Sequence, residues 1–432
     1  MGWVSGPAPD DERFLDDLQR RTFAWFADAA HPDTGLVPDR WPRPDSCSVA
    51  AVGFGLTAWG VGQSRGWLTR HDAVRRTLAT LRLLHDAPQG EAATGTSGHR
   101  GFFHHFLDPA TGLRWSDDVE LSSVDTALLL GGVLFAERWF DGDDAAEREI
   151  RTLADALHRR VEWPWMQARP PLISMGWLPG KGFLDADWCG YNEAMLVVLL
   201  ALGSPTHPVG DDAWPAWAAS YGRTWEEFHG RTHLGFGPLF GHQYSHVWVD
   251  FRGVRDDWGR AHGLDYAENS RRAAHAQQAY AVANPGGFRG YDQDVWGLTA
   301  CDGPGEGTHL VDGREVRTHG YLARGAGPGW VEDDGTIAPT AAGGCLPFAP
   351  EIALPALRAM ADRYGDALLT EHGFLDAINP TVGWVDDQHL GIDQGPILLM
   401  AENLRTGLVW DVVRGHPVLR RGLARAGFRP AR

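Results

Sequence analysis

Two kinds of helix-forming segment alternate along this chain, and the alternation limits its fold more than any motif does. One kind is amphipathic. Asp11 to Ala30 carries Phe14, Leu18, Phe23 and Phe26 on one stripe, and Thr69 to Leu84, Ala145 to Arg160 and Ala353 to Tyr364 follow the same rule. The other kind is almost uncharged: Ser48 to Trp59, Asp125 to Phe135, Glu193 to Leu202, a more polar Ala-rich stretch from Asn269 to Val282, the short Pro339 to Leu346, and Gly395 to Met400. Ala and Leu outnumber β-branched residues in these segments, so helix is favoured over strand. A helix with no wet face needs protein on every side. Dry helices as an inner ring and wet helices as an outer ring satisfy both kinds, with about five or six pairs. The expected fold is therefore all-α, an (α/α)6 toroid in one domain (residues 1–432, core about 12–425), with its hollow at one end of the inner helices. The rival, a multidomain helical protein, needs a polar linker. Segments 88–99 and 303–336 hold too much Trp, Tyr and His for that and are expected to be long loops or small hairpins over the ring face.

Acidic residues exceed basic ones, 56 to 39, which argues against a nucleic-acid partner. Neutral ligands remain open. Cys47, Cys189, Cys301 and Cys345 show no CxxC spacing and are expected to be small buried thiols. No apolar run is long enough to span a membrane. Met1-Gly2-Trp3-Val4 lacks a signal-peptide apolar region and Gly6 breaks the myristoylation pattern, so the expected location is cytoplasmic, or exported if a leader has been removed.

Trp is abundant, 20 residues, and many flank Gly, Pro or Asp: Trp115, Trp163, Trp165, Trp177, Trp188, Trp258, Trp296, Trp330 and Trp384. Indole faces stack on pyranose C–H surfaces while neighbouring polar residues take the hydroxyls, so sugar binding fits. Plugs over helix ends are the plainer reading. Carboxylates in the dry segments are sharper. Asp125 enters an apolar helix and must be paired, capping or working; Glu120 precedes it. Glu193 in Trp188-Cys189-Gly190-Tyr191-Asn192-Glu193 leads an apolar run without Lys or Arg, where a carboxyl pKa rises toward what a general acid needs. Asp393 opens another apolar helix, and N-capping alone explains it equally; Pro396 is tolerated in a first turn only. Asp302, a turn residue by composition, sits between Trp296 and a Gly-rich loop. His242-Gln243-Tyr244-Ser245-His246 is not HExxH, so no metal is assigned; His242 and His246 share a side if helical, and Asp250 with Arg252 holds that wall. Nucleotide loops and the GxSxG elbow are absent from the sequence.

Eight ordered segments resemble the glucoamylase-like family of bacterial proteins, which includes the endo-β-1,2-glucanases of glycoside hydrolase family 144: SVAAVGFGLTAWGVG (48–62), ELSSVDTALLLGG (120–132), GYNEAMLVVLLALGSPTHP (190–208), HQYSHVWVDFRG (242–253), NSRRAAHAQQAY (269–280), GYDQDVWGLTACDGP (290–304), DGTIAPTAAGG (334–344) and GIDQGPILLMAENLRTGLVW (391–410). The resemblance implies an (α/α)6 toroid and inverting cleavage of β-1,2-glucan to sophorose and short oligosaccharides, probed first as an endo activity, with exo hydrolysis, transglycosylation or noncatalytic glycan binding as alternatives. It places Asp125, Glu193 and Asp393 in the pocket: Glu193 as acid, Asp393 as base, Asp125 as a third carboxylate, the last two roles being exchangeable and base action open to relay through a substrate hydroxyl. Glu120, Trp188, Tyr191, Asn192, His242, Gln243, His246, Asp250, Arg252, Trp296, Asp302 and Gln394 are the expected substrate contacts. The run Ala300-Cys301-Asp302-Gly303-Pro304 departs from the family pattern, and Gly305-Glu306-Gly307 continues into a loop through His319-Gly320-Tyr321 that is expected to border a subsite. No cofactor is expected, the partner is a neutral glucan, and the oligomeric state is left open.

Overall fold

Five of the dry segments become inner helices, α2 (Val49–Ser64), α4 (Ser123–Trp139), α6 (Met195–Gly203), α11 (Pro339–Gly343) and α13 (Gly391–Arg405), and the sixth inner helix is α8 (Tyr244–Trp248), from the His242–Gly253 segment. Each is paired with an outer helix: α1 (Pro9–Ala29), α3 (Arg70–Asp86), α5 (Ala145–Arg159), α7 (Ala213–Ala218), α10 (Tyr266–Ala283) and α12 (Pro350–Tyr364). A short α9 (Asp257–His262) precedes α10, and α14 (Leu408–Arg414) and α15 (Pro417–Arg425) end the chain. This computed structural model describes residues 8–431; the Met1–Val4 and Gly6 signals lie outside the described residues. Neighbouring inner helices pack in order, and α13 returns to α2 to close the ring. The α6–α8 step is made by Ser245, whose hydroxyl donates to the Glu193 carbonyl (2.6 Å) and accepts from the Leu196 amide (3.0 Å). The α8–α11 step is made by Gln243 donating to the Ala341 carbonyl (2.8 Å).

The result is an all-α (α/α)6 toroid with small antiparallel hairpins on its rim. The Ala-rich segment Asn269–Val282 belongs to the outer ring rather than the inner: Arg271 and Arg272 reach outward to Glu351 and Glu268. One apolar cluster runs from Leu15 to Phe428. No helix among the described residues is long and apolar enough to cross a membrane. Cys47, Cys301 and Cys345 are buried as expected; Cys189 is exposed, lying in the turn before α6.

The ring's floor is filled. The Trp248 indole stacks on Phe54 (5.2 Å) and donates to the Thr57 hydroxyl (3.0 Å). Below it Trp410 of α14 donates to the His246 carbonyl (2.7 Å) and Asn403 to that of Val247 (2.9 Å). The hollow therefore opens at the other end, where all six inner helices begin. α2 and α4 meet backbone to backbone: a Cβ on Gly53 would stand 2.3 Å from the Leu128 carbonyl oxygen, and one on Gly132 2.0 Å from that of Gly53.

A five-stranded rim sheet sets the entry to α4. Its strands, in order, are Gly98–His99, Phe102–His104, Leu121–Ser122, Gly176–Leu178 and Gly182–Phe183. Arg40–Trp41 pairs with His389–Leu390, joining the approaches to α2 and α13. Between α10 and α11 the rim carries two hairpins, Gly307–Val311 with Arg314–Thr318 and Gly325–Gly327 with Trp330–Glu332. Arg324, fully buried, anchors this loop: it pairs with Asp334 (2.7 Å) and donates to the carbonyls of Cys301, His319 and Gly320 (2.8, 3.2 and 3.1 Å).

Overpacking of a tight core costs about 1–3 kcal/mol or more, so Gly53→Ala or Gly132→Ala is expected to lower stability by at least that, measured by denaturant or thermal unfolding. Gly222→Ala, which meets nothing within 4 Å, is the control and should stay near wild type.

Candidate active site

Helix starts leave unpaired N–H groups, and two of the inner helices, α2 and α4, begin with serines that satisfy one of them. Ser48 caps α2. Ser122 caps α4: its hydroxyl accepts from the Asp125 amide (3.2 Å) and donates to the Asp125 carboxylate. Asp125 is thus the third residue of α4 rather than its cap. Asp393 is likewise the third residue of α13, which starts at Gly391, so Pro396 lies inside the helix beyond its first turn. Capping therefore does not account for either acid. Glu193 lies just before α6, in a turn closed by Asn192, whose side chain accepts from the Ala194 amide (3.0 Å).

The acids form two groups. In the first, His105 stands between Glu120 (Nδ1 to Oε1, 2.9 Å) and Asp125 (Nε2 to Oδ1, 3.4 Å), and its amide bonds the Glu120 carbonyl (2.9 Å). Burial opposes its charge, but Asp125, Glu120 and Asp39 outweigh burial and raise its pKa to about 9. Asp125 is raised by burial and held back by His105 and Ser122. Glu193 follows: burial, with a smaller contribution from the Asp125 charge, raises its pKa to about 7. One carboxyl oxygen of Glu193 is buried without a hydrogen-bond partner, and no cation pairs with it among the described residues.

In the second group Asp376 and Asp393 lie against each other, each with one buried carboxyl oxygen that has no hydrogen-bond partner. Burial raises both above the carboxylate range, Asp376 further through the neighbouring Asp393 and Asp393 to about 7, so the pair holds a proton more readily than either carboxyl alone. Asp302 and Asp386 complete the group; the Asp302 amide donates to Asp376 (2.7 Å), and burial, then Asp376, raises Asp386 to about 7. Arg40 pairs with Asp302 and lies 3.4 Å from Asp39. Burial lifts Asp39 to about 6, and it acts electrostatically on both His105 and Asp393. Between the groups stands the Tyr244 hydroxyl, which stays protonated because burial and the charges of Asp393 and Glu193 oppose its ionisation. Tyr321, on the Arg324-anchored loop, is half exposed as a residue, yet its hydroxyl lies in the field of Asp393 and Asp376.

Asp125, Glu120, Glu193, Asp393 and Asp302 are therefore gathered at the mouth of the ring, though Asp302 is occupied by Arg40. Several expected sugar contacts are corrected. Tyr191 is buried, its hydroxyl bonded to Ser270 (3.1 Å). Trp188 donates to the Ser123 hydroxyl (2.8 Å), and Asn192 serves its own turn. His242 and His246 do not share a helix, since α8 begins at Tyr244. Both are buried, His242 against the Phe236 carbonyl (3.2 Å) and His246 between Phe251 and Phe348. Gln243 and Gln394 bond backbone carbonyls of Ala341 and Phe374 (2.8 Å each). Trp296 and Trp163 are core. Asp250 pairs with Arg252 (2.8 Å) and Arg414 (3.3 Å), and Arg252 lies over Trp410, at the floor rather than the mouth. The hollow is lined by acids and tyrosines more than by indoles. Trp115, exposed, is backbone-bonded to Phe106 beside His105 at the rim.

Sequence reasoning missed Asp39, Arg40, His105, Tyr244 and Asp376, while Tyr321 lies in the loop expected to border a subsite. Only the doubled His104-His105 in an aromatic strand offered a signal; Arg40 lies in a two-residue strand, Tyr244 opens a helix, and Asp39 and Asp376 lie in bends without periodic pattern.

Six helix pairs around an acid-lined hollow define the class: an (α/α)6 toroid whose polar groups collect at the inner N-termini. Within it, the chain belongs to the glucoamylase-like family, described as "Glycoamylase: Putative glucoamylase", whose model matches residues 185–417 and so includes Glu193 and Asp393. A crystal structure described as a "putative glucoamylase" from Bacteroides uniformis is 32% identical, covers 98% of this chain and 99% of that one, and has a TM-score of 0.87. An endo-β-1,2-glucanase from Chitinophaga pinensis, in complex with sophorotriose and glucose, is 27% identical over 98% and 99% of the two chains, TM-score 0.85. An exo-β-1,2-glucooligosaccharide sophorohydrolase (non-reducing end) from Parabacteroides distasonis is 30% identical over 96% of this chain; the chain spans 57% of that relative's length.

Carboxyls whose folded pKa is raised stabilise the fold below their unfolded pKa and lose that contribution as pH rises through the folded value. Buried His104, His233 and His389, lowered to about 4 chiefly by burial, act oppositely below the ordinary histidine pKa and offset it. The effect is therefore expected in a variant rather than the whole. Asp386→Asn should stabilise by about 1 kcal/mol at pH 8, within the range of single substitutions, and be neutral near pH 3, below the unfolded carboxyl pKa, measured by unfolding at both.

Proposed function

We propose that this chain is a glycoside hydrolase acting on β-1,2-linked glucan and glucooligosaccharides, with inversion, Glu193 serving as general acid and Asp393 as general base. The observation that carries the reading is the Glu193 carboxyl: buried, one oxygen unpartnered, unpaired with any cation, and titrating near 7. Protonated there, it can give its proton to the leaving glycosidic oxygen. Asp393 is the better base of the two aspartates, because among the described residues no cation pairs with it and the neighbouring Asp376 carboxyl can hold a proton beside it. Asp125 is held by the His105 imidazolium and Ser122, which make it a poorer proton acceptor. Asp125 then serves as the charge that helps Glu193 keep its proton and as an acceptor for a sugar hydroxyl. Tyr244, a hydroxyl between acid and base, is placed to orient water or substrate. The substrate class rests on the relatives, one named for endo and one for exo cleavage of β-1,2-glucans.

Exo action is the second reading, favoured by one feature: the loop through Tyr321, anchored by Arg324, brings that residue near Asp393, where it can close one end of the cleft to substrate. Time-resolved product profiles from linear β-1,2-glucan separate the two, an early ladder for endo cleavage and one small product throughout for exo.

Glu193→Gln is expected to lower kcat at least 10³-fold, in keeping with loss of a general acid, while calorimetry still detects oligosaccharide binding. Wild-type turnover would overturn the assignment. The rate should fall above about pH 7 as Glu193 loses its proton and below about pH 7 as Asp393 gains one, giving a narrow bell in kcat/KM. Inversion requires the first product anomer to be α, read by NMR within the first turnovers.

A further inference from the structure

On the floor side of the ring, away from the acid-lined mouth, three side chains from different helices converge. Glu137 lies in the last turn of α4, His158 in the last turn of α5, and His416 caps α15. Glu137 Oε2 is 3.2 Å from His416 Nε2 and 3.4 Å from His158 Nε2. Asp155 Oδ1 stands 3.5 Å from the same His158 nitrogen. We propose that Glu137, His158 and His416 form a binding site for a divalent cation of the zinc type, with Asp155 or water as fourth ligand. The inference does not rest on the glycosidase reading.

Three observations carry it. A tetrahedral zinc ion with bonds of about 2.0–2.1 Å places its ligand atoms roughly 3.3 Å apart; Glu137 stands at 3.2 and 3.4 Å from the two imidazole nitrogens, and the three ligand atoms all lie within 4.8 Å of one another. His158 is about nine-tenths buried, yet neither of its ring nitrogens is in hydrogen-bond geometry, its Nε2 contacts with Glu137 and Asp155 being ion-pair distances only, a state that a metal bond would relieve. Two of the three elements present their C-terminal ends, the negative poles of their dipoles, to the site.

The proton balance is explicit. His416 Nδ1 accepts from the Val418 amide (3.3 Å), so its hydrogen resides on Nε2 and donates to Glu137. Metal binding at Nε2 moves that hydrogen to Nδ1, with solvent carrying it, and the long cap contact is given up. No net proton is lost from the ring, and no oxidant or reductant is needed. A bound ion would tie an inner helix, its neighbouring outer helix and the C-terminal helix together across the floor.

The other two clusters with ligand spacing carry no such proposal. His105, Glu120 and Asp125 belong to the candidate active site, and Asp302 of the third cluster is already paired with Arg40.

The test uses the whole chain, stripped of metal by chelator and dialysis. Zn(II) titrated against a chromophoric chelator should bind at one equivalent tighter than micromolar, raise the unfolding temperature, and be replaceable by Co(II) with the visible absorption of a four-coordinate ion. Glu137→Gln and His158→Gln, each folded by circular dichroism, should weaken that binding at least tenfold and leave β-1,2-glucan hydrolysis unchanged, whereas His105→Gln should leave Zn(II) binding unchanged. Absence of micromolar binding, an octahedral Co(II) spectrum, or equal binding by Glu137→Gln and His158→Gln overturns the site.

Discussion

An inner helix with no wet face has to be surrounded, and in this chain six such helices surround one another. That requirement decides more than the ring. Because every inner helix runs from the same end, their N-termini collect at one mouth, and every polar group placed at a helix start is delivered to a common space. The floor, by contrast, receives the apolar ends and is sealed by Trp248 and Trp410. Carboxylates at the mouth gain little solvent and few cations, so burial dominates their ionisation. One group is relieved by a single imidazolium, His105, and the other by holding a proton on the pair of Asp376 and Asp393. Two carboxyl environments that differ in how their charge is compensated are what acid–base chemistry at neutral pH needs.

The ring was legible because its signal is local: an uncharged run of Ala and Leu in α2 or α4 cannot be anything but surrounded. Asp125, Glu193 and Asp393 were legible for the same reason, each being an acid against an apolar background. The polar residues of the 242–246 segment misled on that same logic. His242, Gln243 and His246 also stand in an apolar run, but they are consumed by the Phe236 and Ala341 carbonyls and by aromatic packing. A buried side chain that bonds its neighbours and one that faces a cavity leave the same trace in a sequence. Tyr244, between them, carries the opposite lesson: it looks like core and lies between acid and base.

Asp39, Arg40 and Asp376 were illegible because their meaning lies in long-range pairings. Arg40 meets Asp302 only because the strand Arg40–Trp41 pairs with His389–Leu390, Arg40 standing opposite Leu390 from the far end of the chain. The rim loop behaves similarly. Its extra length was visible, but Tyr321 reaches the mouth only because Arg324 gathers the carbonyls of residues 301, 319 and 320 around one guanidinium.

The backbone contact between α2 and α4 has a consequence for how such proteins diversify. With Gly53 and Gly132 pressed against opposing main chain, no change of rotamer can widen or narrow the separation of those helices. The distance between the segments entering at Ser48 and at Asp125 is therefore set by main-chain atoms, and the frame is rigid there. New preferences for chain length or branching have to be written in the rim, where hairpins can lengthen and shorten without disturbing the staves of the barrel.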